Sequence, residues 1–391
     1  LSCGVGDFRF QFVTRPLLRV LLFLSYILFC FLSSTSHEYS ARLFRRAQLI
    51  KTAFYAEVHI QVNLWRVCVV EKPKVPALMK HVLVVRYSQS GQLNDVVESL
   101  ISPLRSTREV KVHEMVLKPR VAYPFPWPVG RFFDVFPETV QLSPPAIEPL
   151  HTDHPGPFDL VILAYQVWYL SPSPLITAFL QSAQGKRLLA GRPVVTVIAC
   201  RNMWLMAQEA VKRLLHEAGA RLRDNVVLTD RANTFATLIT TPRWMFTGSR
   251  ESFLGLPKAG ISAEDVQGAA RFGRALKAAL QANKEQADGP MLAGLGAATV
   301  NPGLILSERA AYKGFKFWSG IICRFGKYGQ WLRRLLLCLF IVYLLLVILT
   351  VLPVSLVLRR LLHPFVRARL DKLQRYYEQS SGSQLNLESE G

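Results

Sequence analysis

The sequence predicts an α/β chain, a doubly wound parallel sheet followed by one transmembrane helix near the C-terminus. Three observations predict it. Apolar runs at 81–87, 158–165 and 194–199 are each long enough for a strand buried on both faces, and each passes through a polar turn into a helical pattern. Strand–helix alternation at this spacing implies right-handed crossovers and helices on both faces of the sheet. Finally, residues 335–358 carry no charge over 24 positions, about 36 Å as a helix, between Arg333-Arg334 and Arg359-Arg360.

Charge and composition narrow the classes. Half of the 391 residues are hydrophobic, and the net charge is +20. Residues 305–391 hold 13 Lys/Arg against 5 Asp/Glu, so the basic excess is densest beside the most apolar stretch. That distribution favours a lipid bilayer as partner and argues against nucleic acid. Six cysteines without C-x-x-C or regular spacing point away from a disulfide framework or a structural zinc site.

Residues 1–78 contain an apolar stretch at 17–33, and the first methionine is Met79. They are expected to be a leader, or translated upstream sequence, ahead of a working protein that starts at Met79. The α/β domain is expected over 79–285. Its first strand ends in Ser88-Gln89-Ser90-Gly91, and a helix follows over about 92–104. An outer strand is expected at 109–117. Residues 118–156 hold nine of the chain's 23 prolines among many aromatics, and are expected to form an irregular lid with Trp127, Phe132 and Phe133 over a pocket. Pro172 or Pro174 opens a helix, Gly219 ends another, a fourth strand lies near 225–229, and Ser262 caps the last helix. Residues 286–304 read as a Gly/Ala-rich linker and 312–334 as a basic, aromatic membrane-surface segment; together 286–334 lead to the span, with a basic then polar tail at 359–391.

The loops after the strands carry the chemistry. Ser88, Ser90 and the N–H groups through Leu93 converge where a helix dipole is positive, a place suited to a phosphate. The loops at 166–170 and 200–204 follow strands, so all three meet at the C-terminal edge of the sheet, where such folds bind ligands. There is no G-x-G-x-x-G and no G-K-[ST].

Together these loops resemble the flavodoxin-like family of FMN-binding proteins over about 79–284. The resemblance implies that Ser88, Gln89, Ser90, Gly91, Gln92 and Leu93 wrap the FMN phosphate. Leu93 stands where the family usually has a hydroxyl. The resemblance also implies that Gln166, Val167, Trp168 and Tyr169 set an aromatic ring against the flavin, and that Cys200, Arg201, Asn202, Met203 and Trp204 supply further contacts. More closely, YSQSGQL, PWP, LAYQVWYLSPS and CRNMWLMAQE are similar to a bacterial subgroup labelled dialkylresorcinol condensing enzymes. Condensation would need a cysteine nucleophile on a duplicated scaffold, and no duplication is seen. What the resemblance implies instead is an FMN-dependent oxidoreductase, linked to NAD(P)H, for a lipophilic cyclic ketone or quinone. It would be the aromatising partner in resorcinol or aryl-polyene lipid synthesis, at a bacterial inner membrane with its flavin domain in the cytoplasm; a homodimer is compatible. The alternatives are a tethered electron-transfer module and a flavodoxin-fold binding protein without cofactor. With 24 Lys/Arg against 18 Asp/Glu, residues 79–304 are net +6, which disfavours an electron carrier of the usual acidic kind.

No catalytic residue is assigned. Cys200 reads as a buried structural cysteine. His151 and His154 lie in a Pro/Gly loop without a further ligand cluster in sequence and read as a surface turn, so no metal is expected.

Overall fold

The computed structural model describes residues 79–351 and 367–381. The leader at 1–78, the end of the apolar run at 352–358 and the adjoining tail segments 359–366 and 382–391 lie outside the described residues.

Strand β1 (Lys80–Arg86) is flanked by β2 (Val110–Val116) and β3 (Leu160–Trp168), all parallel. Leu83 and Val85 pack into one core with Tyr165 and Phe179, while Val82 and Val84 pack into the other with Leu93 and Phe272. Alternation along a fully buried strand thus builds two cores, one per face, as the unbroken apolar run requires. Helix α1 (Gln92–Arg105) covers the second face. Strand β2 forms an edge, with Lys111 and Val116 exposed and His113 turned inward.

The Pro-rich insertion contains two short helices, α2 (Val129–Asp134) and α3 (Phe136–Gln141). Beyond it, β3 runs to Trp168, further than expected, and returns antiparallel as β4 (Ser171–Pro172). The expected loop at 166–170 is therefore a hairpin tip. Tyr169 and Leu170 at its turn both have positive φ, 51° and 61°, as a tight two-residue hairpin demands.

Pro174 opens α4 (Pro174–Gln181), which is followed by α5 (Ala183–Leu189), β5 (Pro193–Cys200), α6 (Leu205–Glu217) and β6 (Arg221–Thr229). The sheet order is β2-β1-β3-β5-β6. That is the doubly wound, flavodoxin-like order, with its switch point between β1 and β3. Helix α7 (Thr234–Thr247) was not anticipated. Helix α8 (Ala263–Gly268) starts at the Ser262 cap, and α9 (Ala270–Gln281) packs on α1.

Residues 286–304 differ from expectation. The buried Asp224 carboxylate accepts N–H bonds from Met291 and Leu292 (2.8 and 3.1 Å), and Val227 N–H donates to the Ala297 carbonyl. Leu292, Ala297, Ala298 and Val300 are buried, so the small residues that suggest a linker pack against the outer edge of β6. Helix α10 (Pro302–Phe325) continues from there and turns at Gly326–Gln330 into α11 (Trp331–Leu346), which ends in a π-turn at Val347–Val351. Residues 367–378 are helical and return to the domain. Ser381 Oγ lies 3.0 Å from Asp224 Oδ1, and Val300 N–H donates to Glu378.

Among the described residues, Trp331–Thr350 is long and apolar enough to cross a membrane, with mean hydropathy 2.6. One side of it packs on the insertion. Phe340 stacks on Phe136 at 4.0 Å between centroids, with Leu337 and Ile322 beside them. The other side leaves Leu335, Leu339, Val342, Leu345, Leu346 and Leu349 exposed.

Candidate functional site

A cavity opens beyond the C-terminal ends of β1, β3, β5 and β6, with an empty volume of about 950 Å³ including its mouth. It gathers Gln89, Ser90, Gln92 and Leu93 from the first loop, Gln166 to Tyr169 from the second, and Cys200 and Arg201 from the third. Trp127 and Phe132 of the insertion also line it. The three loops predicted to meet therefore do so.

Their detailed roles differ from residue to residue. Gly91 is the N-cap of α1 at φ 86°, a left-handed conformation that glycine adopts without strain, and open space surrounds the place a Cβ would take. No side chain caps the helix, and the first-turn amides of Gln92 and Leu93 have no helical acceptor by the geometry of any helix start. Ser88 Oγ is buried and has no hydrogen-bond partner among the described residues. An orphan hydroxyl beside an uncapped N-terminus fits an anion with oxygen acceptors.

The glutamines serve the scaffold. Gln92 is buried, its amide donating to the Ile261 carbonyl at 2.9 Å and accepting from Ile261 N–H at 3.1 Å, so its side chain is not a phosphate ligand. Gly260 must be glycine for this to happen, because a Cβ there would lie 2.6 Å from Gln92 Oε1. Gln89 donates to the carbonyls of Tyr123 and Pro124, and Gln166 Oε1 accepts from Gln89 N–H at 2.9 Å. Both tie the insertion and the second strand end to the first loop.

The aromatic wall is continuous. Trp168 meets Trp127 edge to face at 5.5 Å and Tyr123 at 5.3 Å. Trp127 is buried, its backbone N–H bonded to the Met245 carbonyl and its indole N–H without a partner among the described residues. Tyr169 donates its hydroxyl to the Phe132 carbonyl and packs on Phe136, so it braces the insertion as well as lining the cavity. Phe133 faces away from the cavity, toward Phe340 of α11.

At the third loop, burial pushes the Cys200 thiol upward and Glu308 adds to the shift, which keeps it protonated and unsuited to nucleophilic work. Arg201 is the one cation among the described lining residues. Its Nε donates to Thr237 Oγ1 at 2.9 Å, burial lowers its pKa, and Asp230 opposes that. Asn202 and Met203 do not line the cavity, and Trp204 is buried at the start of α6 in the core that holds Leu83 and Tyr165. Glu308 of α10 accepts the Met206 N–H at 2.8 Å there, holding α10 against the N-terminus of α6.

Six lining residues were missed: Ala199, Asp230, Thr241, Trp244, Met245 and Gly260. Ala199 lies at the end of β5 and Asp230 directly follows β6, so the strand-end rule could have found both. The others sit on α7 and on the loop beyond it, where the sequence has no strong periodic signal.

No family model and no curated protein sequence matches the chain. Solved structures do resemble it. A flavoprotein from Lactobacillus acidophilus in complex with FMN is 16% identical with a TM-score of 0.31, covering 38% of this chain and 93% of its own. A flavodoxin from the domain Archaea is 11% identical with a TM-score of 0.29, covering 52% and 99%. Oxidised flavodoxin 1 from Bacillus cereus is 14% identical with a TM-score of 0.26, covering 52% and 98%.

Proposed function

We propose that the chain is a membrane-anchored, FMN-dependent oxidoreductase acting on a lipophilic cyclic ketone or quinone. The observation that carries this reading is the position of two neighbouring residues. Phe132 lines the cavity, and Phe133 packs toward the apolar helix through Phe340. The insertion thus joins the wall of the pocket directly to the element that would meet the bilayer. A tethered electron carrier has no need of such a join, whereas an enzyme drawing its substrate from the lipid does.

Bound in the cavity, FMN would supply hydride transfer at its ring. The chain's own residues bind and orient. Ser88, Ser90 and the amides through Leu93 would hold the phosphate, and Trp168 would take a face or edge of the ring. Arg201, held by Thr237, suits an anionic flavin or an enolate-like oxygen on the substrate. Trp127 and Phe132 exclude water. Aromatisation of a cyclic dione to a dialkylresorcinol best matches the bacterial resemblance. It would pass a hydride to the flavin and a proton to solvent, so turnover would require a membrane quinone or NAD(P)+ to reoxidise the flavin. NAD(P)H would serve the reverse, reducing direction, and the inner membrane is a further expectation.

The reading is tested by purifying the full chain in detergent and denaturing it. A yellow protein releasing one FMN per chain is expected; a colourless protein that takes up no FMN on titration would remove the proposal.

A further inference from the structure

Far from the cavity, at the N-terminal end of β1, three histidines distant in sequence converge. His81 is the second residue of β1, His113 lies inward on neighbouring β2, and His154 comes from the loop before β3. One ring nitrogen from each lies within 4.8 Å of the other two. His81 Nδ1 is 2.9 Å from His113 Nε2, and His154 stacks against both rings, at 4.1 and 4.9 Å between centroids. Six residues of extended strand, roughly 20 Å, separate His81 from Tyr87 at the cavity end. This cluster is thus no part of the flavin pocket.

The protonation pattern suits a metal. His113 Nδ1 lies 2.6 Å from Asp153 Oδ1, so that nitrogen carries the proton and donates it to the carboxylate. His113 Nε2 is then bare and faces His81. A carboxylate on the far nitrogen is the arrangement that fixes the tautomer of metal-ligating histidines and raises their basicity. With its proton on Nε2, His81 offers Nδ1, the atom 2.9 Å from His113 Nε2, to the ion. Phe158 supports the cluster from below, edge-on to His113 and His154.

We propose that His81, His113 and His154 form a binding site for a borderline divalent cation of the zinc type, with Asp153 orienting His113. Zinc bound at about 2.0–2.1 Å to each nitrogen in a tetrahedron sets neighbouring nitrogens roughly 3.3 Å apart. That spacing falls between the 2.9 Å of the first pair and the 4.8 Å limit of the set. Because His154 stacks nearly parallel on His81, with 7° between the planes, its ring must turn on its loop to aim a nitrogen at the ion. Three imidazoles leave a fourth position for water, and imidazole donors without thiolate suit Zn²⁺, Ni²⁺ or Cu²⁺ over Mg²⁺ or Ca²⁺. With the flavin pocket at the other end of the sheet, the ion would clip the 151–157 loop to β1 and β2.

The test uses the full chain in detergent, without a histidine tag and stripped with EDTA. Zn²⁺ is titrated against a chromophoric chelator, and Co²⁺ binding is followed by its visible bands. One equivalent should bind, with the intense bands of a tetrahedral Co²⁺ site and a rise in melting temperature. His81→Gln and His154→Gln should each weaken Zn²⁺ by at least about a hundredfold, and Asp153→Asn by about 10- to 100-fold. His151→Gln and His216→Gln should bind as wild type. Flavin content, measured on every variant, should stay constant. His113 is buried and is left intact, so that loss of binding is not confused with loss of fold. If wild type takes up no stoichiometric Zn²⁺, or His81→Gln and His154→Gln titrate like wild type, the cluster is a metal-free imidazole stack and the proposal fails.

Discussion

Arg333 and Glu138 meet as a two-pronged pair, both terminal guanidinium nitrogens lying 2.9 Å from the two carboxylate oxygens. Arg333 Nε also reaches Asp134 Oδ1 at 2.6 Å. The Arg333 side chain is 3% exposed and each carboxylate partner 23%. The first turn of the apolar helix is thereby fastened to the insertion that walls the cavity. Geometry of this kind gives direction as well as attraction. Replacing Arg333 by Met strands two carboxylates, an effect of about 3 kcal/mol or somewhat less given their partial exposure. Faster limited proteolysis of the insertion and a lower melting temperature are expected. Adding Asp134→Asn and Glu138→Gln should recover much of the loss; if the triple variant is as weak as Arg333→Met, packing rather than charge holds the joint.

Membrane attachment is tested best on the exposed face of α11. Cutting the chain at 335 would also remove the 367–381 segment that covers Asp224 and Val300, so truncation would confuse folding with anchoring. Leu339→Lys with Leu346→Lys leaves Leu337 and Phe340 in place. The doubly substituted chain should leave the alkali-resistant membrane pellet for the soluble fraction. Unchanged pelleting would mean that the anchor lies elsewhere in the chain.

The anion loop makes a two-step prediction. Ser90→Asp places a carboxylate beside the phosphate position and should abolish flavin binding while leaving the melting profile of the apoprotein unchanged. Ser88→Ala removes a buried hydroxyl that has no partner among the described residues, so the apoprotein should lose little stability. Its FMN affinity should nonetheless fall, by about 1–2 kcal/mol for a hydrogen bond to a charged group. Equal affinity in titrations of Ser88→Ala and wild type would move the phosphate away from this hydroxyl.

Trp127 and Trp168 touch each other, so they should not behave independently. Trp127→Ala is expected to raise KM for a long-chain cyclic dione more than for a short one. Because the two rings share an edge-to-face contact, a double-mutant cycle on FMN affinity should show coupling of about 1 kcal/mol. Additive effects, measured by flavin fluorescence titration, would argue that the flavin separates the two rings.

Glu308 makes stability depend on pH. Burial pushes its carboxyl up to about 7, outweighing the backbone N–H bonds at the start of α6 that favour the charged form. A carboxyl that is harder to ionise in the folded state binds more protons folded than unfolded between pH of about 4.5 and 7. Stability should therefore fall as pH rises through that window, by on the order of 3 kcal/mol, and level off above it. Glu308→Gln should flatten the dependence in denaturant titrations; an unaltered slope would assign it to another group.

Much of the fold was legible because its signal is local. An unbroken apolar run such as Val82–Val85 demands cover on both faces, and the turn after it marks the end of the strand where a ligand can sit. Ser262 as a cap and Gly91 at the head of a helix follow from backbone chemistry within a few residues. The class of pocket, the three loops that build it and the uncharged helix were available on those terms. Partners distant in sequence were not. Gln92 looks like a loop ligand until Ile261 occupies both ends of its amide, and the Gly/Ala run at 286–304 looks like a linker until Asp224 gathers its N–H groups. His81, His113 and His154 carry no shared spacing; parallel pairing of β1 with β2 and the return of the chain into β3 bring them together. Secondary structure and strand ends depend on neighbours in sequence, which a single chain displays. Which side chain satisfies which buried polar group depends on contacts across the sheet, and these exist only once the chain has folded.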